Sequence, residues 1–175
     1  MKNYQEVLKL ANLETIIFFD MDGVLADFEK GLGGDFANMY KEGFFRNLPV
    51  MEQGLNESIQ KIKEQGYTVK ILSKACVTKS DSRFVKQMVD KANWVKHHIP
   101  CIDELDIIIQ ASDECKGDIV RMYESHECIL VDDYTVNLAS WIMAGGQGIK
   151  KAKRIKNTRP CRQILNVAEL AEEGI

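Results

Sequence analysis

The chain has 175 residues, of which 45% are hydrophobic and 28% are charged, and its formal net charge is −3. This composition is ordinary for a soluble globular protein. A chain of this length suits one domain with a small insertion, and it can bury a sizeable core without a disulfide or a structural metal.

Neither the cysteines nor the N-terminal residues indicate secretion or membrane insertion. The five cysteines are scattered and form no Cys-x-x-Cys pair, so a zinc site is not predicted and a reducing compartment is indicated. Residues 1–13 carry apolar side chains at helical spacing, but the apolar run is too short for a signal peptide. No other stretch is long enough to cross a membrane. We therefore expect a cytoplasmic protein with no membrane partner.

The first strong element is a short, fully buried strand over residues 16–19. The strand leads directly into two carboxylates, Asp20 and Asp22, and then Gly23. Charges at the end of a buried strand are costly unless they have partners, and a metal ion or a phosphate-binding loop would supply them. The alternative is a strand that enters an ordinary Asx-type turn, with Gly23 at a positive φ.

The remaining elements follow from periodicity and from turn residues. Residues 26–53 are rich in Gly and aromatic residues, and we interpret them as a small helical cap with a short helix over 35–41. The core domain would then consist of residues 1–25 and 54–175. Beyond the cap, the patterns predict helices over 55–65, 81–98, 119–124, 136–144 and 167–173, and strands over 68–73, 106–110, 128–133 and 148–149.

Alternating strands and helices predict the α/β class, here three layers with a mostly parallel, five-stranded sheet covered on both faces. The carboxyl ends of parallel strands lie at one edge of the sheet, where ligands bind. We therefore expect five polar side chains to meet at this edge: Asp20, Asp22, Ser73, Asp132 and Asp133.

Four acidic groups at one edge repel each other unless a cation is present. Oxygen ligands select a hard divalent ion, and Mg²⁺ accepts a few carboxylates while it binds substrate phosphate. The alternative for Asp132 and Asp133 is a cap on the helix that starts near Val136. Lys116 would supply a further cation and Ser73 a hydroxyl for a phosphoryl oxygen, although each is otherwise an ordinary surface or turn residue.

In order and in type, four stretches resemble the motifs of the haloacid dehalogenase-like (HAD) phosphohydrolase superfamily: Asp20-Met21-Asp22-Gly23-Val24-Leu25, Ser73, Lys116 and Val131-Asp132-Asp133. The resemblance covers residues 16 to 149 and implies a Rossmann-like core with a cap inserted after the first motif.

The resemblance also implies a role for each residue. Asp20 would be the nucleophile that forms an aspartyl-phosphate, and Asp22 would be the general acid and base. Ser73 and Lys116 would hold the phosphoryl oxygens. The Mg²⁺ cofactor would be bound by Asp20, Asp132 and the Asp22 carbonyl, with Asp133 orienting water or metal. A second Asp at the Asp22 position is typical of phosphatases rather than of dehalogenases or P-type ATPases.

A narrower resemblance is to the 5′(3′)-deoxyribonucleotidases. It is carried by residues 20–28, 44–49, 94–98 and 131–137, and it implies a nucleotide substrate whose base stacks on a cap aromatic residue. Phe44 and Phe45 are the candidates, and packing inside the cap is the alternative. Ser73-Lys74-Ala75 departs from the Thr-Ser-Pro of animal members. Two other functions stay open, namely a HAD phosphatase for a sugar phosphate or other small metabolite, and a non-catalytic phosphate- or partner-binding module.

Residues 150–162 carry seven basic side chains and no acidic one. Such a run is typical of a solvated edge, and the alternative is attraction of an anionic ligand or nucleic acid. No aromatic residues are interleaved, so no stable nucleic-acid partner is expected.

Overall fold

The computed structural model describes residues 14–153 and 161–175. Within these ranges the chain forms a six-stranded parallel sheet with helices on both faces. No helix in the described ranges is both long and apolar enough to cross a membrane. The expected helical pattern of residues 1–13, and residues 154–160 of the basic run, lie outside the described ranges.

The sheet has the order β3-β2-β1-β4-β5-β6. Every pairing along it is parallel. The strands are β1 (Thr15–Phe19), β2 (Thr68–Lys74), β3 (Ile107–Gln110), β4 (Glu127–Asp132), β5 (Gln147–Lys151) and β6 (Arg162–Ile164). Since β1 lies at the centre between β2 and β4, its carboxyl end and those of its two neighbours form one short rim.

The helices are α1 (Phe28–Leu32), α2 (Leu55–Glu64), α3 (Phe84–His98), α4 (Gly117–Met122), α5 (Thr135–Met143) and α6 (Ala168–Glu173). Helices α2 to α6 match the predicted helices to within a few residues at each end. The α/β class and the succession of the predicted strands along the chain are confirmed.

Two local features differ from the predictions. The sheet has six strands rather than five, because β6 is a three-residue edge strand with one buried apolar residue, Ile164, which is too short to show periodicity. The short helix predicted over 35–41 is present as a 3₁₀ helix over Phe36–Tyr40, with Asp35 as its N-cap. Helix α1, over Phe28–Leu32, was not predicted because it is one turn long and contains a glycine.

The two faces of β1 separate the core into two main clusters. Ile17 and Phe19 face a cluster formed with α2, α3 and α6, whereas Ile16 and Phe18 face a cluster formed with α4 and α5. Both faces of β1 are therefore covered, which agrees with its continuous apolar sequence.

Residues 26–53 pack onto the same core cluster as α2 and α3. Phe28, Phe44 and Phe45 form an aromatic group with edge-to-face and stacked contacts. Trp94 of α3 donates a hydrogen bond from its indole Nε1 to the carbonyl of Leu48 at 2.7 Å. The division of the chain into core and cap stays a prediction. Helix α3 contacts residues 26–53 through Trp94.

Replacing Trp94 by Phe tests the contribution of this hydrogen bond to stability. The substitution leaves the buried Leu48 carbonyl without its donor, and we expect the free energy of unfolding to fall by about 1–3 kcal/mol. Urea denaturation measures the change. The control is Val85→Ala on the exposed face of α3, which should change stability by less than about 0.5 kcal/mol. Equal effects of the two substitutions would contradict the prediction.

Candidate active site

The carboxyl ends of β1 and β4 bring three carboxylates together. Asp20 follows β1, Asp132 ends β4, and Asp133 comes next. One oxygen from each of these residues lies within 4.8 Å of the other two. Asp20 and Asp132 are buried. The register fixes this arrangement, because the backbone N–H of Asp20 donates to the Val131 carbonyl at 2.9 Å.

Lys116 lies between two of these carboxylates. Its Nζ is 2.7 Å from Asp20 Oδ1 and 2.7 Å from Asp132 Oδ2, and the side chain is buried. Asp132 is further fixed by the Tyr134 backbone N–H on Oδ1 at 2.7 Å and by Asn137 Nδ2 on Oδ2 at 3.0 Å. The nucleophile and metal-ligand candidates thus share one ammonium group.

Lys116 reaches this position because α4 packs closely on α5. A Cβ on Gly117 would lie 2.5 Å from the Ser140 carbonyl oxygen, so only glycine permits this approach of the two backbones. The loop before Lys116 is held by Gln110, whose Nε2 donates to the Cys115 carbonyl at 3.1 Å.

The second predicted carboxylate pair does not cap the following helix. Helix α5 has no side-chain hydrogen bond at its N-cap, Tyr134. Instead Asp133 lies against Gly23, where an added Cβ would be 2.2 Å from Asp133 Oδ2. Gly23 has a φ of 78°, so the turn after β1 needs glycine both for its backbone conformation and for this contact.

Burial and mutual repulsion raise the pKa values of these carboxyl groups. The pKa of Asp132 is raised by burial and by the charge of Asp20, against the opposing effect of Lys116. Burial and the charges of Asp20 and Asp132 raise the pKa of Asp133 to about 7. Burial disfavours the charged form of Lys116, but Asp20 and Asp132 more than offset it, so the pKa of Lys116 is raised.

Asp22 and Ser73 lie beside this cluster and share a cation that was not predicted. Lys91 of α3 has its Nζ 2.5 Å from Asp22 Oδ2 and 3.2 Å from Ser73 Oγ. The pKa of Asp22 is raised, chiefly by burial. Lys91 was not predicted, because a lysine in the middle of a helix is ordinarily solvated.

The buried stripe of α3 in fact includes two polar residues, Gln87 and Lys91. The pattern that could have predicted Lys91 is the helical spacing of Gln87 and Lys91 on the same face of α3 as Trp94. The burial of Lys91 indicates that it has polar partners, since a buried ammonium group needs them.

The two aromatic candidates for base stacking, Phe44 and Phe45, differ in their exposure to solvent. Phe45 is 1% exposed, and its ring packs against Lys91 Nζ at 4.2 Å. Phe44 is half-buried and makes an edge-to-face contact with Phe45. Phe45 therefore has no free face for a base, and Phe44 is the residue of the two that solvent reaches.

The basic run begins at the rim of the site. Lys150 of β5 donates to the Asp133 carbonyl oxygen and to Thr135 Oγ1. Lys151 is buried, and Lys153 pairs with Glu29 of α1 at 2.5 Å. Because Lys153 and Glu29 are both largely exposed, the described part of this run lies mostly at the protein surface, with Lys151 as the buried exception.

The donor set suits a hard divalent cation. Three carboxylates lie within reach of one ion, and no sulfur or imidazole ligand belongs to the group, which favours Mg²⁺ over zinc or copper. Burial is the largest cause of the raised pKa values of Asp132 and Asp133, and the negative charge of the neighbouring carboxylates, which a bound cation would offset, adds to it.

Comparison with solved structures defines the class of protein. A haloacid dehalogenase-like hydrolase from Xanthomonas campestris matches with a TM-score of 0.55 at 12% identity, covering 92% of this chain and 94% of the other. A D,D-heptose 1,7-bisphosphate phosphatase from Burkholderia thailandensis gives 0.59 at 12%, with 91% and 97% covered. The same enzyme from B. bronchiseptica, complexed with magnesium and phosphate, gives 0.59 at 16%, also with 91% and 97% covered. The fold is that of the HAD superfamily.

Comparison with family models assigns the chain to a narrower group than the fold does. The model of the family described as 5′ nucleotidase, deoxy (pyrimidine), cytosolic type C (NT5C) matches residues 34–142. The chain belongs to this family, and it is a phosphomonoester hydrolase of the HAD superfamily. No curated protein matches the chain.

Replacing Gly23 by Ala tests the contact with Asp133. The new Cβ displaces the Asp133 carboxylate, so we expect Mg²⁺ affinity, measured by titration calorimetry, to fall by about tenfold or more. The control is Gly66→Ala, at a φ of 97° with no atom within 4 Å of the new Cβ. It carries the same backbone strain and should leave Mg²⁺ affinity unchanged. Equal losses in both variants would show that strain alone is responsible.

The raised pKa of Asp133 predicts a pH-dependent stability of the metal-free protein. The folded state holds this proton up to a pH of about 7, whereas the unfolded chain releases it near 4. Ionisation therefore costs more in the folded state, and the contribution of Asp133 to stability falls as the pH rises from about 4 to 7.

Urea denaturation in EDTA at pH 5 and pH 8 measures this effect. Asp133→Asn should be more stable relative to the wild type at pH 8 than at pH 5. A difference between the two proteins that is independent of pH would contradict the assignment.

Proposed function

We propose that the protein is a Mg²⁺-dependent 5′(3′)-deoxyribonucleotidase that hydrolyses nucleoside monophosphates through an aspartyl-phosphate. The observation that carries the proposal is the position of Lys116 between Asp20 and Asp132, beside a third carboxylate. This is an arrangement in which a phosphoryl group meets a nucleophile, a fixed ammonium group and a metal-binding cluster.

The first step is in-line attack of an Asp20 carboxylate oxygen on phosphorus. The bond from phosphorus to the ester oxygen breaks as the Asp20–phosphorus bond forms, and the departing alkoxide takes a proton from Asp22. The raised pKa of Asp22 favours its protonated form. Lys116 and the Ser73 hydroxyl hold the non-bridging phosphoryl oxygens.

The second step releases phosphate. Asp22, now ionised, accepts a proton from water, and the resulting hydroxide attacks phosphorus. The bond between phosphorus and the Asp20 oxygen breaks, so that Asp20 is restored and inorganic phosphate leaves. Asp22 regains its proton from the attacking water, and the cycle balances in atoms and charge.

The residues present fit a bound Mg²⁺ ion. Asp20, Asp132 and the Asp22 carbonyl would hold it, with Asp133 orienting a bound water or the metal. When bound, Mg²⁺ neutralises charge that builds up on the phosphoryl oxygens in the transition state.

A nucleotide is the favoured substrate because of the family to which residues 34–142 belong. Phe44 is the candidate surface for stacking on the base, since its ring is half-buried and adjoins Phe45. The cytoplasmic location and the cap at residues 26–53 belong to the same proposal, and the family's description as cytosolic supports the first of them.

A sugar phosphate or another small metabolite is the rival substrate. Two similar structures are heptose bisphosphate phosphatases, but identities of 12% and 16% carry the fold and not the substrate. A non-catalytic binding module is disfavoured, because the acidic, hydroxyl and ammonium groups needed for turnover meet at one rim.

The wild type should release phosphate from dUMP and dTMP in the presence of Mg²⁺ and lose this activity in EDTA. Asp20→Asn removes the nucleophile but keeps the side-chain volume, so turnover should fall by more than about 10³-fold. A malachite green assay for phosphate measures both effects.

The matched control is Asp113→Asn, at an exposed aspartate outside the site, which should retain full activity. A panel of sugar phosphates distinguishes the substrates. Turnover of sugar phosphates equal to that of dUMP would reject the nucleotidase proposal and retain the phosphatase.

A further inference from the structure

Lys91 is a buried lysine that the two steps above do not use. It lies on α3 at the same helical face as Gln87 and Trp94, and its side chain is fully buried. Removing an ammonium group from water costs several kcal/mol, so a lysine at this position needs strong partners. Its nearest partners all lie at or beside the site.

The environment of Lys91 Nζ aims the ammonium group in one direction. The ring of Phe45 lies 4.2 Å away. Asp22 Oδ2 at 2.5 Å and Ser73 Oγ at 3.2 Å take hydrogen bonds. A lysine ammonium group has three donors, and two of them are directed at residues that would handle the leaving group and the phosphoryl oxygens.

The two oxygens of Asp22 are not equivalent. Oδ2 accepts from Lys91, whereas Oδ1 is buried and has no hydrogen-bond partner among the described residues. Buried carboxylate oxygens are normally hydrogen-bonded. An oxygen left free in this way is available to a group that arrives with the substrate.

The second buried lysine of the site makes a different set of contacts. Lys116 bonds Asp20 and Asp132, while Lys91 bonds Asp22 and Ser73. The two ammonium groups therefore divide the site, one on the side of the nucleophile and metal ligands and the other on the side of proton transfer.

We propose that Lys91 is a positioning residue that holds Asp22 by Oδ2 and leaves Oδ1 to exchange the proton with the ester oxygen and with water. This inference rests on the proposed function. Lys91 itself does not touch the reacting atoms. It fixes the rotamer of Asp22, so that Oδ1 faces the leaving oxygen.

The dependence of the rate on the leaving group tests the proposal. A nucleoside alkoxide needs a proton as it leaves, whereas 4-nitrophenolate is stable without one. The measured quantity is kcat/KM, because it reports on the steps up to departure of the leaving group and excludes hydrolysis of the aspartyl-phosphate. The enzyme is the full chain with saturating Mg²⁺.

Lys91→Met removes the charge and keeps the length of the side chain. We expect kcat/KM for dUMP to fall by about 10²-fold or more, the usual size of general acid catalysis. For 4-nitrophenyl phosphate we expect a fall of less than about tenfold. The inhibition constant of inorganic phosphate should change by much less than kcat/KM for dUMP, because Lys91 would reach the phosphoryl group only through Ser73.

Four further variants complete the test. Asp22→Ala should show the same selective loss for dUMP, and the double variant Lys91→Met with Asp22→Ala should be no worse than Asp22→Ala alone. Lys96→Met, at an exposed lysine of α3 that pairs with Glu104, should behave as the wild type. Lys91→Gln keeps a hydrogen-bond donor and should show an intermediate selectivity, which supplies the measurement if the methionine variant does not fold.

Equal losses for both substrates in Lys91→Met or Lys91→Gln would overturn the proposal. So would weaker phosphate inhibition by the same factor as the loss in kcat/KM, because Lys91 would then bind the phosphoryl group. The proposed function fails separately, if the wild type with Mg²⁺ turns over neither substrate.

Discussion

The site depends on a charge balance at the carboxyl ends of two neighbouring strands. Asp20, Asp22, Asp132 and Asp133 bring four carboxylates to one rim, and Lys91 and Lys116 bring two buried ammonium groups. Two negative charges remain, which is the charge that one divalent cation neutralises. Burial raises the pKa values of Asp22, Asp132 and Asp133, and repulsion between the neighbouring carboxylates adds to this effect, so the same groups that would bind a cation also hold protons. Affinity for a metal and affinity for protons are thus two results of one arrangement.

The parallel sheet makes this arrangement possible. Because β1 lies between β2 and β4, Asp20, Ser73 and Asp132 reach the same edge without any long connection. The sheet alone does not bring Lys116 to these carboxylates, and two glycines allow the close packing that does. Gly117 lets α4 approach α5 closely enough for Lys116 to enter, and Gly23 lets the first turn lie against Asp133. The chemistry therefore rests on backbone packing as much as on the acidic residues.

The sequence predicted the residues that terminate buried strands, and the family resemblance added Lys116 at the start of a helix, but Lys91 in the middle of a helix was missed. Asp20, Ser73 and Asp132 follow apolar runs, so strand order was enough to bring them together. Lys91 lies in the middle of a helix, where a lysine is ordinarily solvated, and only its place on the buried face distinguishes it. Phe45 was a candidate for base stacking by its type, but its packing against Lys91 is a tertiary contact that no local pattern encodes. The same holds for β6, whose three residues form a strand only because β5 is beside them.

Helix α3 contacts both residues 26–53 and the proposed general acid, Asp22. Gln87 Nε2 lies 3.4 Å from the Met39 carbonyl oxygen, and Trp94 donates to the Leu48 carbonyl. Between them, one turn from each, Lys91 reaches Asp22 and packs against Phe45. A shift of residues 26–53 that alters the packing of Phe45 must therefore also alter the surroundings of Lys91, and through it the orientation of Asp22. In this architecture α3 contacts both the segment that would stack on the base and Asp22, which would protonate the leaving oxygen. A change in the fit of the substrate would therefore act on the rate of proton transfer as well as on binding.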